Sequence, residues 1–370
     1  MELSLSLLLL GFPIAFLLGW IASRIDIRQL RLENRHSPKA YFKGLNFLLN
    51  EQPDQAIDAF IEAVQLDPDT SELHFALGNL FRKRGEYDRA VRVHEHLIGR
   101  ADLSLADRNR AYFALATDFL RAGILDRAET VFQTLVDTHD YDHPSELALL
   151  SIYERTRDWP RANEIAKRLT DKGHSGFDTR RSHYLCEQAA ALFKTDPQQA
   201  QHYLEQAAHI APEADRPKVD LAKLTASSDP PLAFALMHDL ISHRRPGATL
   251  IATLFADTAI ELHTETSALT LLTECYAHTH SLDILEGMVR LLSTAPQVSN
   301  HPDPIQAAFL EHAQSQHSLI AAQRWLESES IRANTIAPPI QQAIAMATRT
   351  LRKYRCASCG FETQNHHWNC

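Results

Sequence analysis

The sequence predicts an all-α protein: a long array of stacked helical hairpins, entered through an apolar N-terminal segment and closed by a short cysteine-bearing tail. Three observations predict it. Glycine is scarce, 12 of 370 residues, while Ala and Leu are abundant, a balance that favours helix over turn-rich sheet. Small and aromatic residues recur at intervals of 34 to 38 residues, the period of a helical-hairpin array. The chain ends YRCASCGFETQNHHWNC, and its paired thiols have metal-ligand spacing. Hydrophobic residues make up 45% and charged residues 22%, so the chain can bury a core. A net charge of −9 argues against a nucleic-acid partner, which calls for a basic face.

The first element is read as a transmembrane anchor, residues 1–23. The run LSLSLLLLGFPIAFLLGWIAS from Leu3 to Ser23 carries no charge. As a helix it spans roughly 30 Å, the thickness of a bilayer core. A cleaved signal peptide would want basic residues before the apolar run, and here Met1-Glu2 precede it. Residues 24–36 form a basic juxtamembrane segment with Arg24, Arg28, Arg31 and Arg35. Positive charge on that flank predicts a single pass through a membrane with the bulk of the chain on the cytoplasmic side.

Residues 37–212 carry the clear repeats. Gly44, Phe47, Ala56, Phe60, Ala63 and Pro68 set the pattern. It returns at Gly78, Phe81, Ala90 and Leu97, with Gly85 and Tyr87 in the turn between the two helices. It returns again at Ala116, Phe119, Gly123, Ala128, Phe132 and Leu135, then at Tyr153, Ala162, Ala166 and Leu169, then at Ala200, Leu204, Ala207 and Pro212. Small residues sit where two helices cross closely, and aromatic or aliphatic ones fill the gap to the next hairpin. The pattern resembles the tetratricopeptide repeat. Residues 213–350 are read as divergent helical repeats, where Ala233, Leu240, Ala268 and Leu272 still fit hairpins and Pro230-Pro231, Pro246-Gly247 and Pro338-Pro339 punctuate them.

In such arrays the first helix of each hairpin lines a partner-binding groove. Counting from the matched positions places Asn79, Arg82, Lys83, Thr117, Arg121, Ser151 and Arg155 there. Asn79 and Lys83 resemble part of the carboxylate clamp of some tetratricopeptide domains; its remaining positions are unmatched, and no clamp is claimed. An ordinary solvated helix face is the plainer account of the same residues. No Gly-rich phosphate loop or nucleophile elbow is present, so the protein is read as a non-enzyme. The 20 histidines are scattered along helices and are read as surface polar residues; HEHL at 94–97 lacks the paired spacing of a metalloprotease.

Cys186 and Cys275 lie in apolar helical patterns and are read as buried core thiols. The tail, residues 351–370, is different. Cys356 and Cys359 can reach one metal together, and Gly360 lets the backbone turn back so that amides point at sulfur. This resembles one knuckle of a rubredoxin or zinc ribbon. A redox dithiol is the rival, but that motif follows a strand and opens a helix, a context not legible here. Cys370 offers a third ligand for one iron or zinc ion. The fourth ligand is missing: either a cysteine would follow Cys370, the sequence being truncated within an incomplete module, or His366 or His367 substitutes. Tyr354, Phe361 and Trp368 are expected to pack around the site or dock it on the last helices.

The order of parts resembles the lipopolysaccharide assembly protein B family of Gram-negative bacteria, on LGFPIAFLLGW followed by arginines, on YFKGLNFLLNEQPDQAIDAFIEAV, and on the tail. The resemblance implies an inner-membrane adaptor that regulates lipopolysaccharide biosynthesis. Its implied partners are the membrane AAA+ protease FtsH, the lipid A committed-step deacetylase, and a lipopolysaccharide-sensing inner-membrane protein. A homodimer stays open. The competing readings are a rubredoxin-like electron carrier on a helical scaffold and a generic envelope-assembly scaffold.

Overall fold

A computed structural model describes residues 16–17, 19–20, 40–294, 304–326, 337–349, 351–352 and 354–368. The described chain is helical from end to end except for a two-stranded sheet in the tail. It divides into two compact units, 1–161 and 162–370. Of the expected anchor, only Phe16, Leu17, Gly19 and Trp20 fall among the described residues, helical and exposed. Arg24, Arg28, Arg31 and Arg35 lie outside them. Among the described residues no helix is long and apolar enough to cross a membrane.

The first unit contains helix α1 (residues 40–49), α2 (Pro53–Leu66), α3 (Ser71–Arg84), α4 (Tyr87–Ile98), α5 (Leu105–Ala122), α6 (Leu125–Gln133) and α7 (Asp142–Thr156). From α2 to α6 each packs on the next. Local sequence sets the ends. Pro53 opens α2, where a missing N–H costs nothing. The Ser104 hydroxyl caps α5 by accepting from the Asp107 amide at 3.1 Å. Gly85 and Gly123 close α3 and α5 in the left-handed region, at φ 83° and 80°, which glycine adopts without Cβ strain.

The repeat positions read from the sequence are the core: Ala56, Phe60, Ala63, Ala90, Leu97, Ala116, Phe119, Ala128, Phe132 and Leu135 are all buried. Gly78 shows why a small residue is needed at the helix crossing. A Cβ there would lie 2.5 Å from the His94 ring nitrogen Nε2. A second repeating device was not foreseen. Arg89 lies over the Phe81 ring at 4.0 Å, Arg127 over Phe119 at 4.2 Å, and Arg161 over Tyr153 at 4.7 Å. Each arginine follows its aromatic by eight residues. Arg127 also pairs with Glu95 of the previous hairpin, and Arg161 with Glu129. These stacks contribute about 0.5–1 kcal/mol each at exposed positions, and they recur because the hairpins do.

Helix α8 (Trp159–Asp171) spans the join between units. The second unit continues with α9 (Asp178–Leu192), α10 (Pro197–Ile210), α11 (Asp215–Thr225), α12 (Pro230–Ser242), a 3-10 turn (Pro246–Leu250), α13 (Ala252–Glu261), α14 (Glu265–Thr279) and α15 (Leu282–Leu292). Beyond these lie α16 (Pro304–Gln316), α17 (Leu319–Leu326) and α18 (Ala337–Arg349). The hairpins persist where the repeat signature fades. Val219, Ala233, Met237, Leu240, Phe255, Ala268, Leu272 and Ile284 share one core cluster. Here burial of aliphatic side chains, worth about 1.5–3 kcal/mol each, replaces the consensus pattern. Gly287 repeats the close-crossing device, since a Cβ on it would sit 2.8 Å from the Ala252 carbonyl oxygen.

Candidate functional site

The groove residues of the first unit fall into two kinds. Asn79, Lys83, Arg121, Ser151 and Arg155 are exposed. Thr117 is half-buried, and its hydroxyl donates to the Phe113 carbonyl at 2.8 Å. Arg82 is tied into the fold: its guanidinium donates to the Ala114 carbonyl at 2.9 Å and to Asp118 at 2.8 Å, and it also bonds the Asn79 side chain. Lys83 lines a cavity of about 340 Å³ with Leu48, Glu51, Pro53, Leu80 and Arg84. This pocket has an apolar wall and a largely basic rim.

Asp118 was not read from the sequence. It is fully buried, and its second oxygen lies 2.6 Å from His94 Nδ1. Arg82, His94 and Asp118 therefore join α3, α4 and α5. The expectation that the histidines are surface residues fails here: His94, His74 and His312 are all buried. The reason is the missing side chain at Gly78, which opens space for the His94 ring. His312 is held through the Tyr276 hydroxyl at 2.7 Å. The legible signal for this cluster was an acid, Asp118, set between Ala116 and Phe119 on the packed face.

Cys186 and Cys275 are buried as expected. Burial pushes the Cys186 thiol up to about 12, and it raises Cys275 as well. Neither is poised for nucleophilic or redox chemistry.

In the tail, β1 (Tyr354–Arg355) pairs antiparallel with β2 (Glu362–Thr363), Tyr354 opposite Thr363. The C-x-x-C turn links them. The Cys356 amide donates to the Phe361 carbonyl at 2.8 Å, and the Gly360 amide to the Cys356 carbonyl at 3.0 Å, with Gly360 at φ 75°. A strand thus does precede Cys356, but among the described residues no helix follows Cys359. The fold of this turn suits a thiolate knuckle. Of the proposed ligands, Cys356 and Cys359 share the turn, and Cys370 lies outside the described residues. His366 packs instead against Trp368 at 4.5 Å and Tyr354 at 5.4 Å. Among the described residues no group of three or more His, Cys, Asp or Glu side chains is placed to hold a metal ion.

The aromatic residues of the tail divide. Phe361 is exposed. Trp368 packs on the core cluster built around α11 to α15, not on the last helices. It sits 5.5 Å from the Arg216 guanidinium and 6.3 Å from the His183 ring. Arg216 is itself buried between Glu187 at 2.6 Å and Asp220 at 3.2 Å. Burial raises the Asp220 carboxyl, against the opposing pull of Arg216 and of the Trp368 hydrogen bond. Burial and then the Arg216 charge lower His183. Burial, with Lys223, His367 and Arg216 behind it, lowers His366. The tail is therefore fastened by Trp368 over a buried charge network, a role that its place in the sequence did not reveal.

Comparison with known proteins bears on the whole chain. Residues 43–102 match the model of a tetratricopeptide repeat family. The Lipopolysaccharide assembly protein B of Escherichia coli strain K12 is 28% identical over 99% of this chain and 95% of that protein. The protein of the same name from Haemophilus influenzae is 26% identical over the same shares. Among solved structures, a tetratricopeptide repeat protein from Parabacteroides merdae is similar over 70% of this chain and 99% of that one, at 11% identity and a TM-score of 0.36. With a matched repeat and relatives that align from end to end, the chain is a tetratricopeptide-repeat homologue of the proteins named Lipopolysaccharide assembly protein B.

Proposed function

We propose that this protein is an inner-membrane adaptor that regulates lipopolysaccharide assembly, presenting the lipid A committed-step deacetylase to the membrane protease FtsH. The observation that carries the reading is the end-to-end likeness to proteins named for lipopolysaccharide assembly. The helical-hairpin array supports it, since stacked hairpins offer a long surface for holding other proteins. No step of chemistry is asked of the chain. An apolar N-terminal segment confines it to the membrane and raises its effective concentration beside a membrane protease. In the tail, Cys356 and Cys359, with Cys370, hold one iron or zinc ion that braces the knuckle, and Trp368 docks that knuckle on the array. A lipopolysaccharide-sensing membrane protein restrains the adaptor.

The test is deacetylase turnover in living cells. Removing residues 1–23 is expected to release the protein from the membrane and to lengthen the deacetylase half-life. FtsH is expected to co-purify with the intact chain from solubilised membranes. Unchanged turnover in both the truncated and the deleted strain refutes the adaptor role.

A further inference from the structure

We infer that the outer face of α1 is a membrane-contact surface, seating Phe42, Leu45 and Leu49 in the headgroup region of an anionic lipid bilayer. The inference rests on the reading of Leu3 to Ser23 as a membrane anchor and names what the array itself does beside that anchor.

Helix α1 buries one side and bares the other. Ala40 and Gly44 are buried, and Tyr41, Phe47 and Leu48 are half-buried. Ala40 joins the core cluster of α2 and α3, with Tyr41, Phe47 and Leu48 packed against it. A Cβ on Gly44 would come within 2.8 Å of the Phe60 ring, so this side is pressed onto α2. The opposite side holds Phe42 at 63% exposure, Leu45 at 38% and Leu49 at 76%. Their spacing of three and four residues sets them in one stripe along the helix. Exposed Lys43 and Asn46 flank the stripe on one side. On the other, Leu48 lines the cavity it shares with Pro53 and Leu80, so the apolar surface continues.

Single exposed apolar side chains are ordinary. Elsewhere from residue 40 to 161 they do come singly, with Leu66, Leu105, Ile124 and Leu147 each on a separate element. Among the described residues of the array no other helix bares three. The end of a helical-hairpin array ordinarily presents a polar outer face, which keeps it in solution. Helix α1, the first described helix of the array, does the reverse.

Sequence position and charge name the occupant. Residues 24–39 join the apolar run to α1. An extended chain advances at most about 3.3–3.6 Å per residue, so α1 is the array helix tethered most closely to that run. From Arg24 to Lys43 the sequence carries six cations, Arg24, Arg28, Arg31, Arg35, Lys39 and Lys43, against two acids, Asp26 and Glu33. This basic stretch stands in a chain of net charge −9. An apolar stripe beside it suits an anionic bilayer surface, where aromatic and aliphatic side chains enter the headgroup boundary and lysine reaches back to phosphate. Lys43 has room to do so: its contact with Glu62 is 3.7 Å long, and the two side chains are 58% and 57% exposed. A protein partner could cover the same stripe without calling for the basic stretch.

The experiment uses the full chain with p-benzoylphenylalanine replacing Phe42, Leu45 or Leu49 in turn, reconstituted into vesicles of phosphatidylethanolamine and phosphatidylglycerol. Ultraviolet light joins the probe to the nearest C–H bond, and mass spectrometry identifies what it caught. Lipid adducts are expected at all three positions and not at Asp126, an exposed site on α6. They are expected to fall when phosphatidylcholine replaces phosphatidylglycerol. Leu45→Gln combined with Leu49→Gln is expected to reduce lipid adducts at position 42 and to leave the helical circular-dichroism signal unchanged. Absence of lipid adducts at all three positions overturns the inference. So does cross-linking there to a second copy of the chain in place of lipid, equal lipid labelling at position 126, or undiminished labelling in phosphatidylcholine. An alkaline wash of the vesicles reads the apolar run separately. A retained chain without lipid adducts overturns the α1 inference alone, and a chain that washes off overturns the anchor reading and the inference with it.

Discussion

Replacing Asp118 by alanine tests how α3, α4 and α5 are tied together. The carboxylate is fully buried and holds Arg82 at 2.8 Å and His94 at 2.6 Å. Its loss leaves His94 without a partner on Nδ1, and Nε2 already has none. It also leaves a guanidinium whose side chain is only 21% exposed. Breaking a buried pair from one side costs about 3–5 kcal/mol. Removing Arg82 instead leaves Asp118 bonded to His94, and the guanidinium is partly wet, so Arg82→Ala is expected to cost about 1–3 kcal/mol. The two changes share a partner and are expected to be non-additive by at least about 0.5 kcal/mol. Urea unfolding followed by far-UV circular dichroism reads all three variants. An Asp118→Ala loss below about 1 kcal/mol, the worth of an exposed pair, refutes the claim that this network joins α3, α4 and α5.

Gly78→Ala is expected to cost about 1–3 kcal/mol by overpacking, because its Cβ would meet His94 at 2.5 Å; the same urea experiment checks it. Maleimide at neutral pH is expected to leave Cys186 and Cys275 unmodified in the native protein and to label both in denaturant, since burial holds the Cys186 thiol near 12 and raises Cys275; peptide mapping reads the outcome. His183 has a folded pKa below its ordinary 6.5, through burial and the Arg216 charge, against the opposing Glu187. A lowered pKa means that the fold favours the neutral ring. That stabilisation is present above pH 6.5 and is lost as pH falls through the folded value. Urea midpoints of the chain are expected to drop on acidification below that point, and His183→Gln is expected to remove part of the drop. Trp368→Ala is expected to free the tail, read as faster proteolysis near 351–368 with the helical signal unchanged.

Much of the architecture was legible because a repeat states its packing many times over. Gly78 with Ala90, Ala116 with Ala128, and Phe60, Phe119 and Phe132 announce close helix crossings through residue size and period alone. The arginine stacks were present as text too, in DRA at 88–90 and 126–128 and PRA at 160–162. They went unread because a surface arginine has no preferred meaning until its aromatic is placed beneath it. His94 and Asp118 were misread or missed for a related reason. They are 24 residues apart, and their burial depends on a void left by a third residue on another helix.

The sequence by itself determined the helical hairpins, their period, the core positions through residue 212, and the turn at Cys356 to Gly360, since each follows from local spacing and backbone preference. Only the tertiary structure decided which charges are spent and which are left over: Arg82 is consumed by Asp118, while Lys83 beside it stays exposed. It also decided that Trp368 reaches back to Arg216 and His183. Pairing and docking depend on distances between residues far apart in the chain, and those distances exist only once the hairpins have stacked.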